Sequence, residues 1–168
     1  MSLWTSKTNI GNIPRQRNRN SMDQRILNAV RKAWGWVGVE PKQIVAVNAF
    51  GNLLLEDIAG RYWRVCPEEL YAKMVANDDQ AYRDLIADAD FLDDWKMIGI
   101  VDIAVRMLGS IDTGKCYCLK QPGALGGAYQ PENLGIISIE ELILSSGDIA
   151  QQIAQIPDGG SVQIQIKD

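Results

Sequence analysis

The chain has 168 residues, of which 46% are apolar, and a formal net charge of −4. That is enough to bury a core without disulfide staples, no apolar run approaches the ~20 residues of a membrane span, and no basic start leads into an apolar segment of the secretory type. With no histidine, Ser-His-Asp and Cys-His machinery is excluded within the chain, and so is the commonest metal ligand.

Residues 1–20 carry Lys7, Arg15, Arg17 and Arg19 without an acid, a net charge of +4, while the remainder carries −8. The first 20 residues, rich in Asn, Arg and Ser and broken by Gly11 and Pro14, read as a disordered basic tail. The expected folded unit is 21–168, one mixed α+β domain whose acidic surface repels nucleic acid and attracts basic partners. Ser21 and Gln24 form a capping-box pair. Ile26, Leu27, Val30, Ala33 and Trp34 follow at helical spacing, and Gly35 and Gly38 close that helix. Residues 44–66 read as a three-stranded antiparallel meander with turns at Gly51-Asn52 and Ala59-Gly60. In its last strand Tyr62, Arg64 and Cys66 face one way and Trp63 and Val65 the other. The meander is expected to pack on the first helix and on a later one.

Pro67 suits the first position of a helix, with Glu68 and Glu69 complementing its dipole and Leu70, Met74 and Val75 inward. A second helical stretch is expected over 78–88, with Tyr82, Leu85 and Ile86 inward. After Phe91 and Trp95, an apolar helix runs through Ile98, Val101, Val105 and Leu108 to Gly109. A strand at 115–119, the loop 121–128 and a strand at 134–137 follow. Ser138 and Glu141 open a short helix, Gly147 interrupts it, and Ile149, Ile153 and Ile156 line a last helix. After a turn at 157–160, Val162, Ile164 and Ile166 alternate with polar residues as a half-buried strand.

Three cysteines, Cys66, Cys116 and Cys118, make no disulfide framework and point to a reducing compartment. They fall one ligand short of a structural zinc site, so core thiols are expected and no metal or cofactor is assigned. The loop with Gly123, Leu125, Gly126, Gly127 and Tyr129 could offer amides to a phosphate. It lacks the Lys-Ser/Thr ending of a P-loop and the dinucleotide fingerprint. Carboxylates are plentiful, but none is singled out as an acid/base pair. Trp34, Trp63 and Trp95 read as core. Trp36 reads as a surface residue of the kind that anchors interfaces. The feature above background is the stretch 78–94, with seven Asp against Arg83 alone. Within it Asp84, Asp88, Asp90, Asp93 and Asp94 are candidate contacts for a basic partner, the alternative being a solvated face.

The run from Leu119 to Tyr129, then Asn133-Leu134, Glu140-Glu141-Leu142, Ser146 to Ile153 and Pro157-Asp158-Gly159, resembles the C-terminal domain of the type VI secretion DNase-immunity proteins. So do Ala49-Phe50-Gly51-Asn52, Tyr62-Trp63-Arg64, Pro67 to Leu70 and Phe91 to Trp95, so that the resemblance extends over about 22–166. It implies a non-enzymatic bacterial immunity protein of the cytoplasm that binds a cognate toxin with a basic surface, a nuclease, through protein–protein contact, without binding nucleic acid or membrane. The alternative from another class is a ligand-binding or enzymatic domain using the Gly123–Tyr129 loop.

Overall fold

The computed structural model of the chain describes residues 17–157, 159–161 and 163. The first helix, α1, spans Arg17–Trp34 and leads through a 3-10 turn, Gly35–Val37, into four strands: β1 Pro41–Val47, β2 Leu53–Asp57, β3 Tyr62–Cys66 and β4 Tyr71–Ala76. They form one antiparallel sheet in chain order. Three helices follow, α2 Asp79–Ala87, α3 Ala89–Lys96 and α4 Ile98–Leu108, then the hairpin of β5 Lys115–Leu119 and β6 Leu134–Ser138, and α5 Ile139–Ile153. The α+β class and the meander packed against helices are as expected from the sequence.

Period-two alternation gives the sheet two working faces. Leu53 and Leu55 of β2 stand opposite Val65 and Trp63 of β3, and these four join the core built with Ile26, Val30 and Trp34 of α1 and Ile143 of α5. On the other face Leu54 pairs with Arg64, and the Tyr62 ring stacks on Tyr82 of α2 at 4.1 Å between centroids. A second cluster joins Phe50 of the β1–β2 turn, Ala104 of α4, and Tyr117, Leu119 and Leu134 of the hairpin. The two clusters adjoin at β5, where Cys116 belongs to the first and Tyr117 to the second.

Several elements differ from the sequence expectation. Helix α1 starts at Arg17, four residues before Ser21, because Arg17-Asn-Arg-Asn contains no breaker and extending a nucleated helix costs little. Residues 17–20 are therefore helix rather than tail, and residues 1–16 lie outside the described residues. Residues 67–70 form a turn with Leu70 at a φ of +52°, which stops a helix from starting there. Tyr71–Ala76 instead takes the free edge of β3, where strand pairing overrides the helical propensity of Ala72, Lys73 and Met74. The meander thus has four strands. Phe91 and Trp95 sit on their own helix, α3, which ends at Met97 with φ +49°. That left-handed residue re-aims the chain, so α4 packs on β6 and the turn before it and meets the meander, as expected, at Phe50 of the β1–β2 turn. Its Ile98, Val105 and Leu108 are exposed, while Ala104 is buried. The alternating strand expected at 162–166 falls mostly outside the described residues.

Gly147 does not interrupt α5, which runs through it. An added Cβ there would lie 2.6 Å from both Cβ and O of Ala33, so its missing side chain is what lets α5 approach α1. The contact is fixed on the same side by Trp34 Nε1, which donates to the Ile143 carbonyl at 3.1 Å. At the other end of the sheet Asp57 organises the β2–β3 turn. It accepts from the backbone N–H groups of Ala59 and Arg61, from Arg61 Nε and from Trp63 Nε1, all at 2.8–2.9 Å.

Gly147→Ala is expected to lower stability by about 1–3 kcal/mol through overpacking, whereas Gly35→Ala, where an added Cβ meets nothing within 4 Å, should change it far less. Urea denaturation of both variants checks this. Burial would raise the Asp57 pKa, but the four donors outweigh it and hold it below its ordinary 3.8. A depressed pKa means that its stabilisation is present above about pH 4 and is lost as pH falls through the folded value. Asp57→Asn should therefore destabilise at pH 7 by about 1–3 kcal/mol and weaken the acid-induced loss measured in the same titrations.

Candidate functional site

The sheet face away from α1 carries a chain of buried polar side chains. It starts at the β1–β2 turn, where Asn48 Oδ1 accepts from the amides of Phe50 and Asn52, both at 3.0 Å. Gly51 takes a φ of +71°, and an added Cβ there would meet Cys116 Sγ at 2.8 Å. Asn52 is thereby held fully buried. Its Oδ1 accepts from Nε and Nη2 of Arg64 at 3.1 and 3.0 Å, and its Nδ2 lies 2.9 and 2.7 Å from the two carboxylate oxygens of Glu68. The remaining arm of Arg64 pairs with Asp94 of α3. The guanidinium lies over the Trp95 ring, 5.6 Å from its centroid. Arg64 and Glu68 are each only 6% exposed.

The environment shifts the titration of these groups in understandable directions. Burial pushes the Glu68 carboxyl above the usual range, outweighing the hydrogen bonds that favour its anion. Burial opposes the charge on Arg64, but the bond to Asp94 more than offsets it and the pKa rises. Burial also raises the Cys66 thiol to about 12, leaving it protonated and a poor nucleophile. Tyr71 is raised by burial, and Tyr129 by burial and by its bond to Glu69.

Above this chain opens a cleft of about 470 Å³, within the size range of ligand pockets. One wall is Glu68, Glu69 and Tyr71 of the β3–β4 turn and β4, and another is Asp93, Asp94 and the start of α4 from Met97 to Ile100. Tyr129 closes a third side, its hydroxyl donating to Glu69.

The structure thus brings together members of both residue groups that the sequence singles out. Asp93 and Asp94, from the acidic stretch, and Tyr129, from the glycine loop, line one cleft. Asp84, Asp88 and Asp90 do not line it. All five aspartates are exposed, and two of them carry structural work. Asp88 caps α3 by accepting from the Phe91 amide at 2.8 Å, and Asp94 holds Arg64. Among the described residues Asp84 accepts only from Gln80, across one helical turn, at 2.9 Å. In the loop, the amides of Gly123 and Ala124 donate to the Glu68 carbonyl. Those of Leu125, Gly126 and Gly127 donate to carbonyls of Pro122 and Gly123. With these N–H groups committed internally, the loop is not a phosphate cradle. Its glycines serve close packing: a Cβ on Gly123 would strike Glu69, and one on Gly127 the Gln121 carbonyl. Leu125 packs against the first core cluster.

Sequence reasoning missed Asn52, Arg64, Glu68 and Glu69 as site residues. The available signal was Arg64, a charge in a strand whose other members are apolar or aromatic. Among the described residues no group of three or more His, Cys, Asp or Glu could hold a metal ion. The cysteines are free, with Cys66 and Cys116 buried. Trp36 is 42% exposed and stacks on Trp34, a surface position as expected. No described helix is long and apolar enough to cross a membrane.

Because the folded Glu68 pKa is raised, its favourable contribution is complete below the ordinary value of 4.5 and is lost as pH rises through the folded pKa. Denaturation midpoints should carry this falling component as pH rises above 4.5, and Glu68→Gln should remove it. Arg64→Ala is expected to cost about 3–5 kcal/mol, since it strands Asn52 and leaves Glu68 without its positive neighbour.

Comparison with known proteins matches residues 76–150 to the family model described as "T6SS immunity protein Tdi1, C-terminal", a narrower span than the sequence resemblance. No curated protein matches. The fold is similar to that in the crystal structure of Atu4351 from Agrobacterium tumefaciens, with a TM-score of 0.53 at 15% identity, over 75% of this chain. The chain spans 64% of the length of that protein.

Proposed function

Taking residues 76–150 as a member of the T6SS immunity protein Tdi1 C-terminal family, we propose that the chain is a bacterial immunity protein that binds and neutralises a cognate type VI secretion toxin, a nuclease, in the cytoplasm. Neutralisation is by protein–protein contact, without catalysis and without binding nucleic acid. The observation that carries this reading is the acidic surface of α2 and α3, which lies inside the family-matched segment. Asp90, Asp93 and Asp94 recur at i, i+3 and i+4 on α3, which places them on one helical face, while Trp95 is buried. Asp84 is exposed on α2.

A nuclease groove must be basic to neutralise phosphates. An inhibitor presenting carboxylates there gains fast, steered association and covers the surface the nucleic acid would use. The two core clusters adjoining at β5 support treating 21–168 as one binding unit, with the cleft and the acidic helices on a common scaffold.

The structure dictates which aspartates test this cleanly. Asp88 and Asp94 hold the fold, so their loss would confound binding with stability. The combined variant Asp84→Asn, Asp90→Asn and Asp93→Asn should keep the wild-type melting temperature. It should slow association with the toxin by roughly tenfold or more at low ionic strength, with a smaller change in dissociation. Stopped-flow or surface-based kinetics at two salt concentrations measures it. Wild-type association at low salt would show that the acidic face is merely solvated. Failure to co-purify any toxin from the native bacterium, together with no protection of cells expressing it, would sink the immunity reading itself.

A further inference from the structure

We propose that the exposed apolar stripe of α4 is a self-association surface, on which a second copy of this chain lays its own α4 antiparallel about a two-fold axis. This goes beyond the immunity reading and does not depend on it.

Helix α4 carries only two charged residues, Asp102 and Arg106, in its eleven. Its own fold covers one side of it. Ala104 is buried, and Ile100, Val101 and Ile103 pack partly against the second core cluster. Ile98, Val105 and Leu108 are left 58, 46 and 37% exposed. Together with half-buried Val101 they recur at i, i+3, i+7 and i+10, the spacing of a seam between two paired helices.

The charges beside the stripe indicate what covers it. Asp102 and Arg106 are exposed and stand one turn apart on the same flank of the stripe. Among the described residues neither has an ion-pair partner. A two-fold contact sets one surface patch against itself, so a patch that holds both an acid and a base can complement its own copy. An antiparallel pair of α4 helices sets Ile98 against Leu108 of the second copy and Val101 against its Val105. The same register lays Asp102 of each copy beside Arg106 of the other, and both contacts fall on one side of the seam. A parallel pair puts the two charged flanks on opposite sides and leaves them unmatched. Exposed ion pairs add little affinity, so the apolar seam holds the copies together while the charges fix direction and register. A basic toxin finds no such match here, because the charges of α4 cancel and Arg106 opposes it.

Sedimentation equilibrium of the full chain, with no toxin present, tests this. A monomer–dimer equilibrium is expected. Val105→Asp should abolish the dimer. Asp102→Arg and Arg106→Asp, each made alone, should weaken it by roughly tenfold through loss of two ion pairs and gain of like-charge contacts. All three positions are exposed, so the melting temperature should stay at the wild-type value. Mixing Asp102→Arg chains with Arg106→Asp chains should restore association, because each chain then presents one sign and both contacts again join opposite charges. A wild type that stays monomeric at its highest attainable concentration would overturn the proposal. So would a dimer that these variants leave unchanged, or a mixture of the two charge variants that associates no better than either alone. A monomeric wild type whose Val105→Asp variant loses the toxin would overturn it as well and assign the stripe to the toxin.

Discussion

Arg64 is a charge that cannot leave the protein interior, and much of the second sheet face is arranged to satisfy it. Its strand neighbours Trp63 and Val65 are committed to the α1–α5 core, so period-two geometry sends the Arg64 side chain to the opposite face. There two of its nitrogens meet Asn52, the third meets Asp94, and the plane lies over Trp95. Each partner comes from a different part of the chain. Satisfying one guanidinium therefore fixes the β1–β2 turn, β3 and α3 against one another. Asn48 reinforces the same joint by donating from Nδ2 to the Trp95 carbonyl at 2.9 Å.

That joint determines where the cleft lies. Because α3 is held on the sheet by Asp94 and Trp95, its end at Met97 and the start of α4 face the β3–β4 turn. The glycine loop is drawn to the same place by backbone bonds to the Glu68 carbonyl and by the Tyr129–Glu69 bond. Glu68 is thus used twice, its carbonyl anchoring the loop and its carboxyl ending the polar chain. Among the described residues one buried side-chain atom, Trp95 Nε1, has no hydrogen-bond partner. The Arg64 plane over its ring gives that indole an electrostatic contact but not a hydrogen bond.

The parts of the fold legible in the sequence are those governed by local period and local chemistry. Alternation in β3, the Asp78 start of α2, the Ser138 cap of α5 and the hairpin of β5 and β6 all stand where patterning puts them. Asp78 Oδ1 accepts from the Ala81 amide and Ser138 Oγ from the Glu141 amide, at 2.9 and 3.2 Å. What was not legible depends on partners distant in sequence. Tyr71–Ala76 has helical composition but lies beside the open edge of β3. Gly147 looks like a breaker until Ala33 is seen against it. The apolar stripe of α4 cannot reveal which of its sides meets the hairpin once Met97 has turned the chain. For the site, Asp93, Asp94 and Tyr129 were identifiable as unusual, but Asn52 and Glu68 acquire meaning only through the 12- and 16-residue separations that Arg64 and Asn52 bridge.

The same geometry separates two kinds of acidic residue that composition alone makes equivalent. Asp88 and Asp94 have their charge tied up, one by a helix amide and the other by a buried guanidinium. Asp84, Asp90 and Asp93 have no ion-pair partner among the described residues, so their field extends into solvent and can act on a basic protein at a distance of about a Debye length. Glu68 is a third kind, a carboxyl screened from solvent whose two oxygens are held by the Asn52 amide. Charge that extends into solvent sets how often partners meet, whereas the carboxyls tied into the fold keep the surface that presents it in one shape. The scaffold thus leaves one set of carboxylates in water and commits another to its own structure.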